Sequence, residues 1–329
     1  MALVAHKLRS TAPTPQASSS PELQRSNLSR IDFAGAATLA LTIVGFLSAI
    51  DLGGQKYAWT DPIILGIFGA SLVCGTIFVL VEAYWAKEPI LPLGLVTKRE
   101  VAASYAVVGL QIMAQMGMMY TVPLYFQITS HASASVAGAH LFPAVAGNAI
   151  GGIIAGIVIK RTRTYHPLTL LSGPISLTAY ILLITRWHGH TSTLESLYII
   201  PGGFGTALSQ ASGFIALTAS IDTAHIAVAT SGMYLAQNVG VALGMSGASA
   251  VLQASLRVVL EGKLEDVEGK AEIIDRALSD VQYVQALKGR VAELVISAYV
   301  QCLMYTHLLS VICAVLTFIA ALFLKGRRL

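Results

Sequence analysis

Gln111 and Gln115 stand one helical turn apart inside a long apolar stretch, and Thr206 and Gln210 repeat that spacing in another. Asn148, Gln237 and Asn238 lie well inside two further apolar stretches. An amide or hydroxyl carried into an apolar interior is expensive unless it meets a partner, a cavity or a ligand. These groups donate and accept hydrogen bonds without carrying charge, so the chemistry open to them is recognition rather than bond breaking. Each amide has two readings: a bond between neighbouring helices, or contact with a small molecule in a cavity. Gln111, Gln115, Asn148, Gln210, Gln237 and Asn238 are therefore the candidate cavity residues. His140 and His307 are the histidines of the apolar stretches. Both are candidates for a proton-linked role, because imidazole changes charge near neutral pH.

Other chemistry finds little support. Asp, Glu, Lys and Arg avoid the central third of every apolar stretch; Asp32, Glu82, Glu195 and Asp222 sit at the ends. Nucleophile-elbow and phosphate-cradling motifs are absent, so the sequence gives no case for an enzyme. His188-Gly189-His190 is the nearest approach to a metal pair, in a short loop, and no metal or cofactor is expected. Cys74, Cys302 and Cys313 fall within apolar stretches without metal spacing and read as packing residues. The net charge of +4 is spread over short loops and gives no case for nucleic acid.

The elements that must hold these residues follow from composition. Of 329 residues, 55% are hydrophobic and 12% charged, and the mean hydropathy is +0.69. A bilayer core about 30 Å thick is crossed by roughly 20 apolar residues in a helix. Eight stretches have that length, near residues 33–50, 61–84, 100–127, 134–160, 167–187, 194–219, 226–252 and 294–324. Backbone polar groups in lipid need internal partners, and the stretches do not alternate as barrel strands do. The expected fold is an all-α membrane protein with eight transmembrane helices.

Small residues at four-residue spacing let helices approach closely in lipid. Gly147/Gly151 and Gly240/Gly244 are the expected helix-packing pairs, and Gly152/Gly156 has the same spacing. Pro123, Pro143, Pro174 and Pro201 lie within or at the edges of stretches, where proline kinks or starts a helix.

Short basic clusters fix an orientation. Lys7, Arg9, Arg25 and Arg30, then Lys87, Lys98 and Arg99, then Lys160, Arg161 and Arg163, then Lys325, Arg327 and Arg328 fall on one side of an eight-span chain. Both termini are accordingly expected in the cytoplasm. The sequon Asn27-Leu28-Ser29 then falls on the wrong side for glycosylation. On the opposite side, 254–293 mixes acidic and basic residues with Leu260, Leu264, Val267, Ile274, Leu278 and Val281 at helical spacing. It reads as an amphipathic helix against the membrane surface or the bundle, or as a partner-docking helix.

Several motifs resemble the fourteen-span drug:proton antiporter branch of the major facilitator superfamily, its fungal multidrug and vacuolar basic amino acid transporters in particular. Arg30-Ile31-Asp32-Phe33-Ala34-Gly35 is similar to the entry of that branch's seventh span. Glu88-Pro89-Ile90-Leu91-Pro92-Leu93 resembles the signature between its eighth and ninth spans, and Val122-Pro123-Leu124-Tyr125-Phe126-Gln127 the end of the ninth. The stretch 227–250, with Ala229-Thr230-Ser231, is similar to the thirteenth, and Lys160-Arg161-Thr162-Arg163 to a short cytoplasmic loop.

The resemblance divides the chain. Residues 1–30 become a disordered cytoplasmic linker, 31–94 two inserted transmembrane helices, and 95–329 a six-helix C-terminal transporter half. It implies a truncated multi-pass transporter in the plasma or vacuolar membrane, with proton-coupled export or antiport of small organic molecules by alternating access. A drug, a toxin or a basic amino acid would be the substrate. The partners would be the lipid bilayer and a missing N-terminal six-helix half, to which the branch's proton-linked acids and antiporter glycine motif belong. Many members carry an Arg near Ala236-Gln237-Asn238, where this chain has none. The alternative expectation is a non-transporting membrane fragment that associates with or regulates another membrane protein.

Overall fold

A computed structural model describes residues 33–53, 57, 60–85 and 93–326. The expected linker at 1–30 lies outside these residues, as do most of the 88–93 signature, Lys87, Arg327 and Arg328. The described residues are helical and form no strand. Eight helices have 20 residues or more: α1 Phe33–Leu52, α2 Pro62–Tyr84, α3 Arg99–Thr129, α4 Phe142–Thr162, α5 His166–Arg186, α6 Ile200–Ala219, α7 Ile226–Lys263 and α8 Gly289–Leu322.

Six segments are long and apolar enough to cross a membrane: α2, α3, α4 together with the short helix before it, α5, α7 and α8. The remaining two differ from the expected spans for physical reasons. The apolar run of α1, Ala34–Ile50, is shorter. Helix α6 carries Gly202, Gly203, Gly205, Ser209, Ser212 and Gly213 on buried positions, so small residues replace the bulky apolar ones of a lipid-facing helix.

Boundaries shift where local chemistry dictates. The 134–160 stretch breaks into Ala134–Ala139 and α4, because Pro143 starts a new helix. The 194–219 stretch begins as a 3₁₀ turn over Thr193–Ile199, capped reciprocally by Ser192 and Glu195, before Pro201 opens α6. Helices α7 and α8 run past the expected ends, over 38 and 34 residues. At about 1.5 Å per residue, α8 alone is about 51 Å long.

Helices α3 to α8 form two triplets. The first helix of each packs on the second and third of the other: α3 on α7 and α8, α6 on α4 and α5. Helices α3 and α6 meet at the centre, and α5 meets α8 behind them. This exchange is the arrangement of inverted repeats. Helices α1 and α2 pack on each other, with Ser71 Oγ donating to the Thr42 carbonyl at 2.7 Å. Helix α1 of the pair leans on the bundle, through α7.

Glycines set the closest approaches. Gly147 faces the Ile200 carbonyl, and a Cβ at Gly151 would stand 2.7 Å from the Phe204 carbonyl oxygen. Gly240 faces Gly109 and Gly244 faces Met113, both on α3. Gly152 and Gly156 face open space.

The segment after α7 folds back rather than projecting. Leu264, Ile274, Ala277 and Val284 are buried in the same core as Val295 and Tyr299. Gln285 Nε2 donates to the Gln127 carbonyl at 2.9 Å, and Tyr299 Oη donates to the Ala277 carbonyl. The amphipathic helices Lys270–Ser279 and Val281–Ala286 therefore lie on the bundle, covering the ends of α3, α7 and α8.

Candidate functional site

Helices α6 and α7 pack loosely beside the tight α4–α6 and α3–α7 pairs. A cleft of about 440 Å³ lies in that seam. Asn148 and Gly152 of α4, Gln210 and Phe214 of α6, and Met233, Tyr234 and Gln237 of α7 line it. Three of the six candidate amides thus converge from three helices. All three are partly exposed and line the cleft. The missing Cβ of Gly152 keeps the α4 wall open. Tyr234 and Phe214, 56% and 36% exposed, add aromatic faces that offer stacking and apolar contact. Amides with aromatic faces bind uncharged or hydrogen-bonding organic groups; they supply no nucleophile and no acid or base.

The other three amides are elsewhere. Gln111 is fully buried between α3, α5 and α6. Its Nε2 donates to Ser176 Oγ at 2.5 Å and to Thr206 Oγ1 at 3.2 Å, while its Oε1 is buried with no hydrogen-bond partner. Gln115 is also buried on α3 and does not line the cleft. Asn238 is exposed on α7, with Nδ2 donating to the Tyr234 carbonyl at 2.9 Å.

The two histidines differ sharply. His140 stacks on Phe126, with ring centroids 3.6 Å apart and planes within 9°, and Nδ1 lies 2.6 Å from Ser196 Oγ. It joins the turn before α4 to α3 and the 3₁₀ segment, inside a cluster with Tyr125 and Trp187. His307 is 3% exposed in α8, and its Nδ1 has no hydrogen-bond partner. Tyr180 Oη on α5, the helix packed against α8, is buried without a partner too. Tyr180, Tyr234 and Phe214 were not singled out by sequence reasoning, since an aromatic in an apolar stretch looks like packing. Among the described residues no group of three or more His, Cys, Asp or Glu side chains is placed to hold a metal ion.

The chain is 27% identical over 301 residues to the vacuolar membrane amino acid uptake transporter fnx2 of Schizosaccharomyces pombe, covering 91% of the chain and 52% of that protein. It is 26% identical over 314 residues to the multidrug resistance protein fnx1 of the same yeast, covering 93% and 59%. It is 27% identical over 321 residues to the MFS-type efflux pump LUC4 of a Fusarium species, covering 92% and 54%. The chain is thus similar over most of its length to fungal major-facilitator transporters. It spans little more than half the length of these curated relatives. The relatives are transporters rather than enzymes. No family model matches the chain.

The fold agrees with that kinship. A bacterial homologue of the human lysosomal transporter Spinster, solved in an inward-facing and occupied conformation, superposes with a TM-score of 0.52. The identity is 16%, over 86% of this chain and 66% of that one, so the likeness is one of fold. The chain carries its exposed amides on a scaffold of helices long and apolar enough to cross a membrane.

Proposed function

We propose that α3 to α8 form the C-terminal half of a major-facilitator transporter, that α1 and α2 are the inserted pair of a fourteen-span branch member, and that all eight helices cross the membrane. Both termini lie on the cytoplasmic side, following the basic clusters at Lys98/Arg99, Lys160/Arg161 and Lys325. A six-helix N-terminal half completes the transporter. The seam between α6 and α7 is this half's share of the substrate path, and alternating access comes from rocking one half against the other. The observation that carries this reading is the convergence of Asn148, Gln210 and Gln237 in one cleft.

The substrate is a small organic molecule: a drug, a toxin or a basic amino acid. The printed functions of the relatives, amino acid uptake, multidrug resistance and efflux, support that range. The membrane is vacuolar or plasma. His307 is the stronger proton-linked candidate, because its buried Nδ1 has no partner; His140 serves the turn before α4. Gln111 and Gln115 act between helices, Asn238 faces the partner half, and Gly147, Gly151, Gly240 and Gly244 seat the helix pairs. The reading as a non-transporting fragment is not favoured, since the relatives are transporters. Transport by the chain paired with an N-terminal half, and its loss when the cleft amides are replaced, tests the proposal.

A further inference from the structure

A second and larger cavity shares no residue with the cleft. It is a groove of about 680 Å³ between the 187–192 region and the N-terminal half of α8, closed behind by Thr129 at the end of α3. That volume is in the range of organic ligand sites. Along α8 the groove follows Glu293, Ser297, Gln301 and Tyr305, one residue per turn, over about 18 Å of helix. Its α8 wall pairs polar groups (Glu293, Ser297, Gln301) with apolar ones (Ile296, Val300, Met304) along its length.

The groove's place along α8 falls at a bilayer boundary. Helix α8 is longer than a hydrocarbon core, and 294–324 carries no Asp, Glu, Lys or Arg. A span of roughly 20 residues that starts near Ser297 runs to about residue 316 and leaves Glu293 about 6 Å outside the hydrocarbon. Glu293 then stands at headgroup level, and Val300 and Met304 within the acyl region. Below them the exposed Leu308 and Ile312 continue the same side of α8 into the bilayer.

Charges of both signs meet at the upper end. Glu293 can accept from an ammonium group. His188 and His190 border the groove from the 187–192 region, and Lys263 reaches it by donating from Nζ to Ser297 Oγ at 2.8 Å. Donors beside a carboxylate suit a zwitterion: phosphate against the histidines and Lys263, ammonium against Glu293. We propose that this groove holds one bilayer phospholipid with an ammonium headgroup, its acyl chain lying along Val300, Met304 and Leu308.

The test uses the full chain in nanodiscs of equal phosphatidylethanolamine, phosphatidylcholine and phosphatidylglycerol, extracted and weighed by native mass spectrometry. One phosphatidylethanolamine is retained per chain, about tenfold over the other two, because a trimethylated or absent amine cannot donate to Glu293. Glu293→Gln abolishes the preference over phosphatidylcholine. Ser297→Trp, at an exposed groove wall, loses the bound lipid while keeping the gel-filtration profile and melting temperature of the wild type; Gln301→Trp does the same from the next turn. Equal retention of all three lipids, retention of none, preference for phosphatidylglycerol, or a preference unchanged in these variants overturns the proposal.

Discussion

Gly203 of α6 lies directly against the carbonyl oxygen of Ala144 in α4, where a hydrogen fits and a methyl group does not. The Cβ that any other residue would bring also meets the Asn148 backbone nitrogen at 3.1 Å. This contact couples α4 to α6 tightly, while α6 and α7 touch little. The cleft opens at the loose seam and takes Asn148 from the tight one. Close backbone packing on one side of α6 thus positions an amide on its other flank.

Replacing Gly203 by alanine forces α4 and α6 apart, and overpacking of this kind costs about 1–3 kcal/mol. Gly152→Ala, where the new methyl meets open space, changes stability by less than about 0.5 kcal/mol. Melting temperatures of the two variants in the same detergent check the contrast. Equal melting temperatures would mean that the α4–α6 contact is looser than described.

Gln111 bonds Ser176 on α5 and Thr206 on α6. A double-mutant cycle of Gln111→Ala with Ser176→Ala should give a coupling energy of about 0.5–1.5 kcal/mol, the net worth of one neutral hydrogen bond. Strictly additive losses would show that Gln111 and Ser176 do not hold each other.

Gln285 reaches from Val281–Ala286 to the carbonyls of Gln127 and Ala132. Removing its amide in Gln285→Ala frees the folded-back segment from the end of α3, at a local cost of about 1 kcal/mol. Limited trypsinolysis should then cut several-fold faster after Lys270, Arg276 and Lys288. An unchanged cleavage rate would mean that the buried Leu264, Ile274 and Val284 hold the segment without this bond.

The helices and their approximate ends were legible because apolar length is a strong signal, and in 254–293 two of the residues at helical spacing, Leu264 and Ile274, are buried beside the exposed Glu265 and Asp266. The break before α4 and the 3₁₀ start of 193–199 were not, since one proline and one capping box outweighed a continuous apolar run. The cleft was half legible. Rarity flagged all six amides, yet nothing in the sequence separates Gln210, which faces the cleft, from Gln111, which faces Ser176. Helix α3 is central and mostly buried, so no polar face betrays which way its glutamines point. The groove beside α8 was invisible for a related reason. Its walls come from residues 129, 188–190 and 293–305, and only tertiary packing brings them together.

The central claim is that the α4–α6–α7 cleft belongs to the substrate path. It is tested most directly by substrate transport in vesicles carrying this chain with a six-helix N-terminal half, comparing Gln210→Ala, Gln237→Ala and their pair with Gln253→Ala, an amide of α7 that bonds Ser249 and does not line the cleft. The account predicts KM raised about tenfold by each cleft substitution, one lost hydrogen bond apiece, with unchanged protein level and melting temperature and near-normal transport in Gln253→Ala. Normal KM and rate in the Gln210→Ala/Gln237→Ala pair would contradict it.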